Sequence, residues 1–271
     1  FYWPASKSRP ETSNDRFFAE GGFYTPDRRA KFVATPVRAP ESKPCKSFPL
    51  VLNTGRVRDH WHTMTRTGKT ARLSNHIGEP FLELHPNDAE RLNLEHADLV
   101  EVNSALGKSA LRLVVTERVK SGECFAPFHW TSRYASNARV DTLVQSNADP
   151  ISGKPESKFT PVNVKRLNVG WYGFLATLNE PSSEEMSDLA YWSKARAGDG
   201  WNVEIAGADT DLNLERIIRL IDGEGDVLSM IDQRAGRFCA AKTNAAGKLI
   251  AFAASSRAGP VAADRSWASK L

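Results

Sequence analysis

Apolar residues in the middle of the chain fall in short runs separated by turn-forming residues, which is the pattern of β-strands. These runs lie at 48–52, 81–84, 99–102, 109–116 and 123–130. Between the second and third runs, Asn87 is placed to cap a short helix, with Glu90 three residues later reaching back to it. Short strands joined by tight turns, with one brief helix, favour a closed barrel over a parallel sheet flanked by helices.

The two ends of the chain follow other patterns. The first part contains many Pro, Arg and Ser residues and predicts a hairpin at 17–26, bending at Gly21–Gly22, and a short strand at 30–34. The last part has apolar spacings that predict two helices, then three strands, then the beginning of a final helix. These elements are expected at 184–194, 212–221, 227–231, 236–242, 248–253 and 265–271.

The sequence therefore predicts a mainly β protein with an α+β extension. Its 271 residues suffice for one large domain or two smaller ones, and 41% hydrophobic with 25% charged residues is an ordinary globular composition. We divide the chain into a crossover and linker segment, a barrel, and a small α+β region, at 1–47, 48–167 and 168–271.

Charge and cysteine content exclude several function classes. The net charge is +4, and aromatic and basic residues form no stacking pattern, so nucleic-acid binding is not expected. No run of about 18 apolar residues is present, so we expect no membrane span. Cys45, Cys124 and Cys239 lie far apart without a C-x-x-C pair, which leaves no local iron–sulfur or zinc site and favours a reducing compartment.

A basic, hydroxyl-rich segment follows the first predicted strand and carries the strongest chemical signal. Residues 53–72 contain five cations and the single acid Asp59, and Gly55 permits close approach of the backbone. Guanidinium groups, hydroxyls and backbone N–H groups in one loop are suited to phosphate or pyrophosphate. The segment matches no known phosphate-loop motif, so a solvated basic loop is the alternative interpretation. His60 and His62 have no third ligand nearby, which makes a metal site an unfavoured interpretation.

The residues Thr54-Gly55-Arg56 and His60-Trp61-His62-Thr63, placed after a hydrophobic strand, resemble the C-terminal domain of the molybdopterin oxidoreductases. Within that family the segment looks most like the cytoplasmic assimilatory nitrate reductases of bacteria. The resemblance implies a six-stranded double-psi β-barrel. It also implies that this loop holds the pyrophosphate and pterin portions of a molybdopterin guanine dinucleotide.

The resemblance extends to a second segment, beginning at residue 125. It implies that Asn137 and Lys158 contact the guanine dinucleotide and that Phe128 borders the substrate side. An amide can pair with a base or pterin edge, and an ammonium supplies a point charge for phosphate. The alternatives are a barrel-core aromatic at Phe128 and an ordinary exposed lysine at Lys158. The implied cofactor-binding set is Thr54, Gly55, Arg56, His60, Trp61, His62, Thr63, Asn137 and Lys158.

The same resemblance implies an activity: reduction of nitrate to nitrite at a molybdenum centre held by two molybdopterin guanine dinucleotides. The molybdenum ligand and a 4Fe–4S cluster, and often a 2Fe–2S cluster, belong to parts of such enzymes outside this chain. We therefore expect a cytoplasmic fragment that is inactive alone, without catalytic or metal-binding residues of its own. Its expected partners are the N-terminal domains of its parent chain and an electron donor, which is ferredoxin, flavodoxin or an NADH-dependent reductase subunit.

Two alternatives remain open from the sequence. The chain is part of another molybdopterin oxidoreductase, such as a formate dehydrogenase, which shares the barrel and parts of the loop. Or it is a non-catalytic double-psi barrel whose basic loop binds an acidic partner, since fold alone does not fix function. The N-terminal half of the parent chain distinguishes the first alternative, and dispensability of Arg56, His60 and Lys158 for nucleotide binding would favour the second.

Overall fold

A computed structural model describes residues 18–209, 214–221 and 223–265, which fall into two compact units, 1–39 and 40–271. In the first unit, the described residues from 18 onward form turns and extended chain without a strand. The predicted hairpin at 17–26 and strand at 30–34 are therefore wrong as far as they are described. Phe32 and Val33 are exposed, so this segment gains no apolar burial that would hold a strand in place.

The second unit begins with a closed barrel of six strands, as the sequence predicts. The barrel order is β1-β5-β2-β4-β3-β6, with β1 parallel to β5 and β2 parallel to β4. β6 is the one barrel strand that the hydrophobic pattern did not identify. The strands are β1 (Leu50–Gly55), β2 (Phe81–Leu84), β3 (Leu99–Asn103), β4 (Lys108–Val115), β5 (Glu123–Pro127) and β6 (Thr160–Arg166).

Alternate residues of these strands fill the barrel. Because successive side chains of a strand point to opposite faces, leucines two positions apart enter the same core. Leu50 and Leu52 of β1 do so, and the pairs on β2 and β4 repeat the pattern, so the barrel is filled by branched aliphatic side chains. The fully buried leucines of this set are Leu50, Leu52, Leu82, Leu84, Leu111 and Leu113.

Strand direction brings several loops to one end of the barrel. β1 and β5 run side by side and end together, with Gly55 opposite Pro127. β6 is antiparallel to β1 and begins at this same end, since Thr160 pairs with Leu52. The segments 56–66, 128–137 and 145–158 therefore all open onto one rim, which we call the barrel mouth.

The short helix between β2 and β3 has a different cap from the predicted one. Helix α2 (Pro86–Arg91) follows α1 (Ala71–Ser74), and its N-cap is His85, whose Nδ1 accepts a hydrogen bond from the Asn87 backbone at 3.2 Å. Asn87 lies inside the helix because Pro86, with its fixed φ and missing N–H, takes the first helical position. The buried Asp88 carboxylate then accepts from the Gly122 backbone at 2.7 Å, which fixes α2 to the turn before β5.

After the barrel, six antiparallel strands form a second sheet with the order β10-β11-β12-β7-β9-β8. Helix α3 (Leu214–Leu220) packs on it through the buried Ile217 and Leu220. The strands are β7 (Trp171–Thr177), β8 (Tyr191–Ala197), β9 (Gly200–Gly207), β10 (Asp226–Asp232), β11 (Arg237–Thr243) and β12 (Leu249–Ser256). No helix among the described residues is both long and apolar enough to cross a membrane.

The sequence predicted the second half of this sheet and missed the first. The three strands expected at 227–231, 236–242 and 248–253 are confirmed as β10, β11 and β12. The helix predicted at 212–221 is confirmed from residue 214, while 212–213 lie outside the described residues. Of the predicted final helix at 265–271, only Arg265 is described, and it is helical.

The helix predicted at 184–194 is wrong. Its apolar residues Met186, Leu189 and Trp192 are all buried in the core of the second sheet, but a turn and the start of β8 place them there. Strand pairing with β9 overrides the helical spacing, because β8 pairs with β9 along its length and sets Trp192 opposite the buried Ile205. Spacing alone cannot distinguish a short amphipathic helix from a turn that feeds a buried strand.

Candidate functional site

The end of β1 is joined to the loop before β6 at the barrel mouth. The Thr54 side chain is buried, and its Oγ1 donates a hydrogen bond to the Ser157 carbonyl at 2.7 Å. The Lys158 ammonium donates to the Thr54 carbonyl in return. These two bonds place an exposed cation beside the last residues of β1.

Gly55, the last residue of β1, allows a tight packing contact. A Cβ at this position would lie 2.7 Å from Cε2 of Phe125 on the neighbouring strand, closer than carbon atoms approach. The Gly55 carbonyl also accepts from the Phe128 backbone at 3.1 Å, extending the β1–β5 pairing beyond the strand ends. The sequence singled out Gly55 for its open backbone, and the structure adds that the aromatic ring beside it requires a glycine.

A buried histidine that the sequence did not single out supports the basic loop. His129 Nε2 accepts a hydrogen bond from the Val57 backbone at 2.9 Å, and its Nδ1 lies 2.7 Å from the His62 carbonyl. Because a backbone N–H can only donate and a carbonyl can only accept, the proton must be on Nδ1. The imidazole is therefore neutral and bridges both ends of the segment 57–62. Burial lowers the pKa of His129 below its ordinary value of 6.5, against the opposing effect of the His62 bond.

The first histidine of the basic loop is buried. His60 donates from Nε2 to the Ile77 carbonyl at 2.8 Å and packs edge-on against Trp130 at 5.5 Å between ring centroids. In a neutral imidazole the Nδ1 atom is then an acceptor, and this buried atom has no hydrogen-bond partner among the residues described. An acceptor left unsatisfied inside a protein costs about 1–3 kcal/mol.

On both sides of His60, the loop also presents side chains to the solvent. The Arg56 guanidinium lies 5.0 Å from the centre of the Trp61 ring, which is 56% exposed and contacts His62 edge-on. Thr63 is also exposed, whereas the next residue, Met64, is buried and anchors the loop through its carbonyl. That carbonyl accepts from Tyr134 Oη at 3.3 Å. The loop is thus anchored at its base and presents a cation and an aromatic ring at its surface.

Phe128 and Lys158 lie together at the mouth, and Asn137 does not contact them. The Lys158 ammonium is 6.0 Å from the centre of the half-buried Phe128 ring, which itself lies 5.1 Å from the His129 ring. Asn137 is exposed and accepts through its backbone from Ala110 in β4. Seven of the predicted residues therefore lie in or on the β1 end and its loop. Lys158 and Phe128 join them, and Asn137 comes to the same mouth from the β4 side.

The electrostatics of the mouth are suited to an anion. Asp59, the one acid of the basic segment, is engaged by Arg58 at 3.0 Å, and this hydrogen bond lowers the pKa of the Asp59 carboxyl. Across the described part of the chain, no carboxylate pairs with Arg56 or Lys158. No three His, Cys, Asp or Glu side chains in the same ranges come together in a way that would hold a metal ion.

Comparison with known proteins agrees with this geometry. The Molydopterin dinucleotide binding domain profile matches residues 50–161, which span β1 to the beginning of β6. A nitrate reductase from Klebsiella oxytoca is 37% identical over 173 residues, covering 64% of this chain and 19% of that protein. Residues 50–161 thus match the dinucleotide-binding domain of the molybdopterin oxidoreductases.

Other relatives in the family differ in the reaction that their names state. The assimilatory nitrate reductase catalytic subunit of Bacillus subtilis is 33% identical over 166 residues, covering 60% of this chain and 22% of that protein. The alpha subunit of an F420-dependent formate dehydrogenase from Methanocaldococcus jannaschii is 32% identical over 166 residues, covering 61% and 24%. The chain thus spans about a fifth to a quarter of the length of these relatives.

We predict that replacing His129 by Gln lowers the stability of the folded chain and makes that stability less dependent on pH. Because its pKa is lowered in the folded protein, His129 is protonated mainly in the unfolded chain. The free energy of unfolding of the unmodified chain therefore falls as the pH drops below 6.5, until the pH reaches the pKa of His129 in the folded state. Loss of the two bonds to the loop should lower the free energy of unfolding by about 1–3 kcal/mol at neutral pH.

Urea unfolding of the chain between neutral and mildly acidic pH measures both effects. His62→Gln is the matched control, because the His62 ring is exposed and its carbonyl stays in place. Equal stability of His129→Gln and the unmodified chain, with equal pH slopes, would contradict the bridging role.

Proposed function

We propose that this chain is the C-terminal, cofactor-holding part of a nitrate reductase that reduces nitrate to nitrite at a molybdenum centre. The observation that carries the proposal is the barrel mouth, where the Gly55 backbone, the loop braced by His129 and the Lys158 ammonium converge. Nitrate reductases from Klebsiella oxytoca and Bacillus subtilis are relatives with this same part, which supports the choice of substrate.

The residues at the mouth fit a dinucleotide of molybdopterin and guanosine. Arg56 and Lys158 are exposed cations that no carboxylate in the described ranges neutralises, as a pyrophosphate requires. The buried His60 Nδ1 is an acceptor that awaits a donor, and pterins and guanine both carry N–H groups. The exposed Asn137 amide supplies both a donor and an acceptor for the edge of a base. Trp61, His62 and Thr63 form the outer surface of the same loop.

The bound molybdenum group would supply the oxygen-atom transfer chemistry, as cofactors do in enzymes of this kind. The residues of this chain bind, orient and shield. Arg56 and Lys158 fix the charged portion, and His129 keeps the loop in one position without carrying a charge of its own. Phe128, half-buried beside Lys158, presents an apolar face at the mouth that would exclude water from the substrate side.

The arrangement of the cofactors, the cellular location and the electron donor belong to the same proposal. We infer that two guanine dinucleotides hold the metal, that this chain closes over one of them, and that the iron–sulfur clusters lie in the rest of the parent protein. A cytoplasmic location and reduction by ferredoxin, flavodoxin or an NADH-dependent subunit accompany an assimilatory role. Because the residues that ligate molybdenum would be elsewhere, the chain by itself should be inactive.

A formate dehydrogenase is the second candidate, and a specific observation favours it. The formate dehydrogenase subunit from Methanocaldococcus jannaschii is 32% identical, close to the values for the nitrate reductases. A full-length protein containing this chain should oxidise reduced viologen with nitrate and should not reduce the oxidised dye with formate. Formate-dependent reduction of the dye, with no turnover of nitrate, would replace the nitrate reductase proposal by the second candidate.

We predict that Lys158→Met in the full-length protein weakens retention of the dinucleotide about tenfold, since a charge-assisted contact to phosphate is lost. Folding should change little, because the side chain is exposed and Met preserves its length. The measurement is cofactor released on dialysis together with the melting temperature.

Lys154→Met is the matched control, because Lys154 is an exposed lysine in the same loop. It should retain cofactor like the unmodified protein. Identical release from the Lys158 and Lys154 variants would contradict the role assigned to Lys158.

A further inference from the structure

We propose that the open edge of the second sheet is the interface of a homodimer, in which β10 of one copy pairs antiparallel with β10 of a second copy. β10 is the first strand of the sheet and pairs only with β11 among the strands described. Its outer edge therefore carries backbone N–H and C=O groups that are available to another strand.

This edge is unusually apolar for a strand in contact with water. All seven residues of Asp226–Asp232 are exposed. Four of them are large hydrophobic residues, exposed by 41% at Val227, 65% at Leu228, 64% at Met230 and 52% at Ile231. Long, exposed and apolar edge strands favour pairing with another chain, and proteins normally protect them.

The opposite edge of the same sheet shows such protection. β8 is covered by the segment after β5, through backbone bonds from Lys194 to Tyr134 at 2.8 Å and from Ser136 to Trp192 at 2.9 Å. β10 has no equivalent cover in the described ranges, and it has no proline, inward-pointing charge or bulge of its own. The contrast indicates that the β10 edge is meant to be covered by something else.

The sequence of β10 is self-complementary in one register. In an antiparallel pair centred on Ser229, Val227 lies opposite Ile231 of the second copy and Leu228 lies opposite its Met230. All four apolar residues then meet apolar partners. A shift by two residues places Asp226 or Asp232 against Met230 or Leu228, so the apolar pairing favours the register centred on Ser229.

Charges at the two ends favour an antiparallel arrangement over a parallel one. Exposed Glu224 precedes β10 and exposed Arg234 follows it, so antiparallel pairing brings each opposite the other. The same register sets Asp226 opposite Asp232 of the second copy, which is a pair of like charges, although Asp232 also lies beside Arg237 on β11. This unfavourable pair keeps the association reversible and provides a direct test of the register.

Sedimentation equilibrium of the 271-residue chain tests the proposal, which is independent of the cofactor site. The unmodified chain should form a reversible dimer. Met230→Lys should raise the dissociation constant at least about tenfold, because a charge enters each of two apolar pairs. Leu106→Lys is the matched control, since Leu106 is 62% exposed on the turn between β3 and β4 and should leave the dimer unchanged.

A second variant distinguishes an effect of this register from a general effect of placing a lysine on the edge strand. Asp226→Lys also adds an edge lysine, yet it converts two like-charge pairs into opposite-charge pairs and should lower the dissociation constant about tenfold. Circular dichroism verifies that each variant is folded. A chain that stays monomeric at every concentration overturns the proposal, as does a dimer that Met230→Lys leaves intact. Weakening by Asp226→Lys overturns the register, and with it the pairing of two copies that the register defines.

Discussion

The candidate site depends on one buried, neutral imidazole. His129 accepts from the Val57 backbone and donates to the His62 carbonyl, so a single ring at the end of β5 fixes the basic loop that follows β1. A protonated ring would lose the first of these bonds, and burial is what keeps the proton off. The exposed residues Arg56, Trp61 and Thr63 have a fixed base to project from only while this bridge is intact. The pairing of parallel β1 and β5 makes it possible, because the two strands end at the same height.

The alternation of apolar residues allowed the barrel to be predicted, and the elements that it missed were missed for physical reasons. Alternating leucines marked β2 and β4 clearly, whereas β6 begins with Thr160-Pro161, and a proline near a strand start conceals the signal. In the second sheet, the spacing of Met186, Leu189 and Trp192 fitted a helix as well as the turn and strand that occur. Partners distant in sequence decide such cases, and a local pattern does not contain them.

At the candidate site, the structure adds contacts that the sequence did not predict. Gly55 is explained by the ring of Phe125 against it, and His60 is buried and donates to the Ile77 carbonyl. His129 lies inside an apolar run that carries no motif marking the histidine as functional. Its only signal in the sequence was its place directly after a strand that ends beside Gly55. Asn137 and Lys158 required the resemblance to a known family, since spacing alone gave no reason to connect them with residue 55.

By the proposal above, this barrel mouth holds a guanine dinucleotide of molybdopterin within a larger enzyme. Acid hydrolysis of the purified full-length protein, followed by measurement of the GMP released per polypeptide, tests that claim most directly. We expect about two GMP for each chain, since the proposed cofactor contains a pair of dinucleotides. A folded, metal-replete protein that releases no GMP would contradict it.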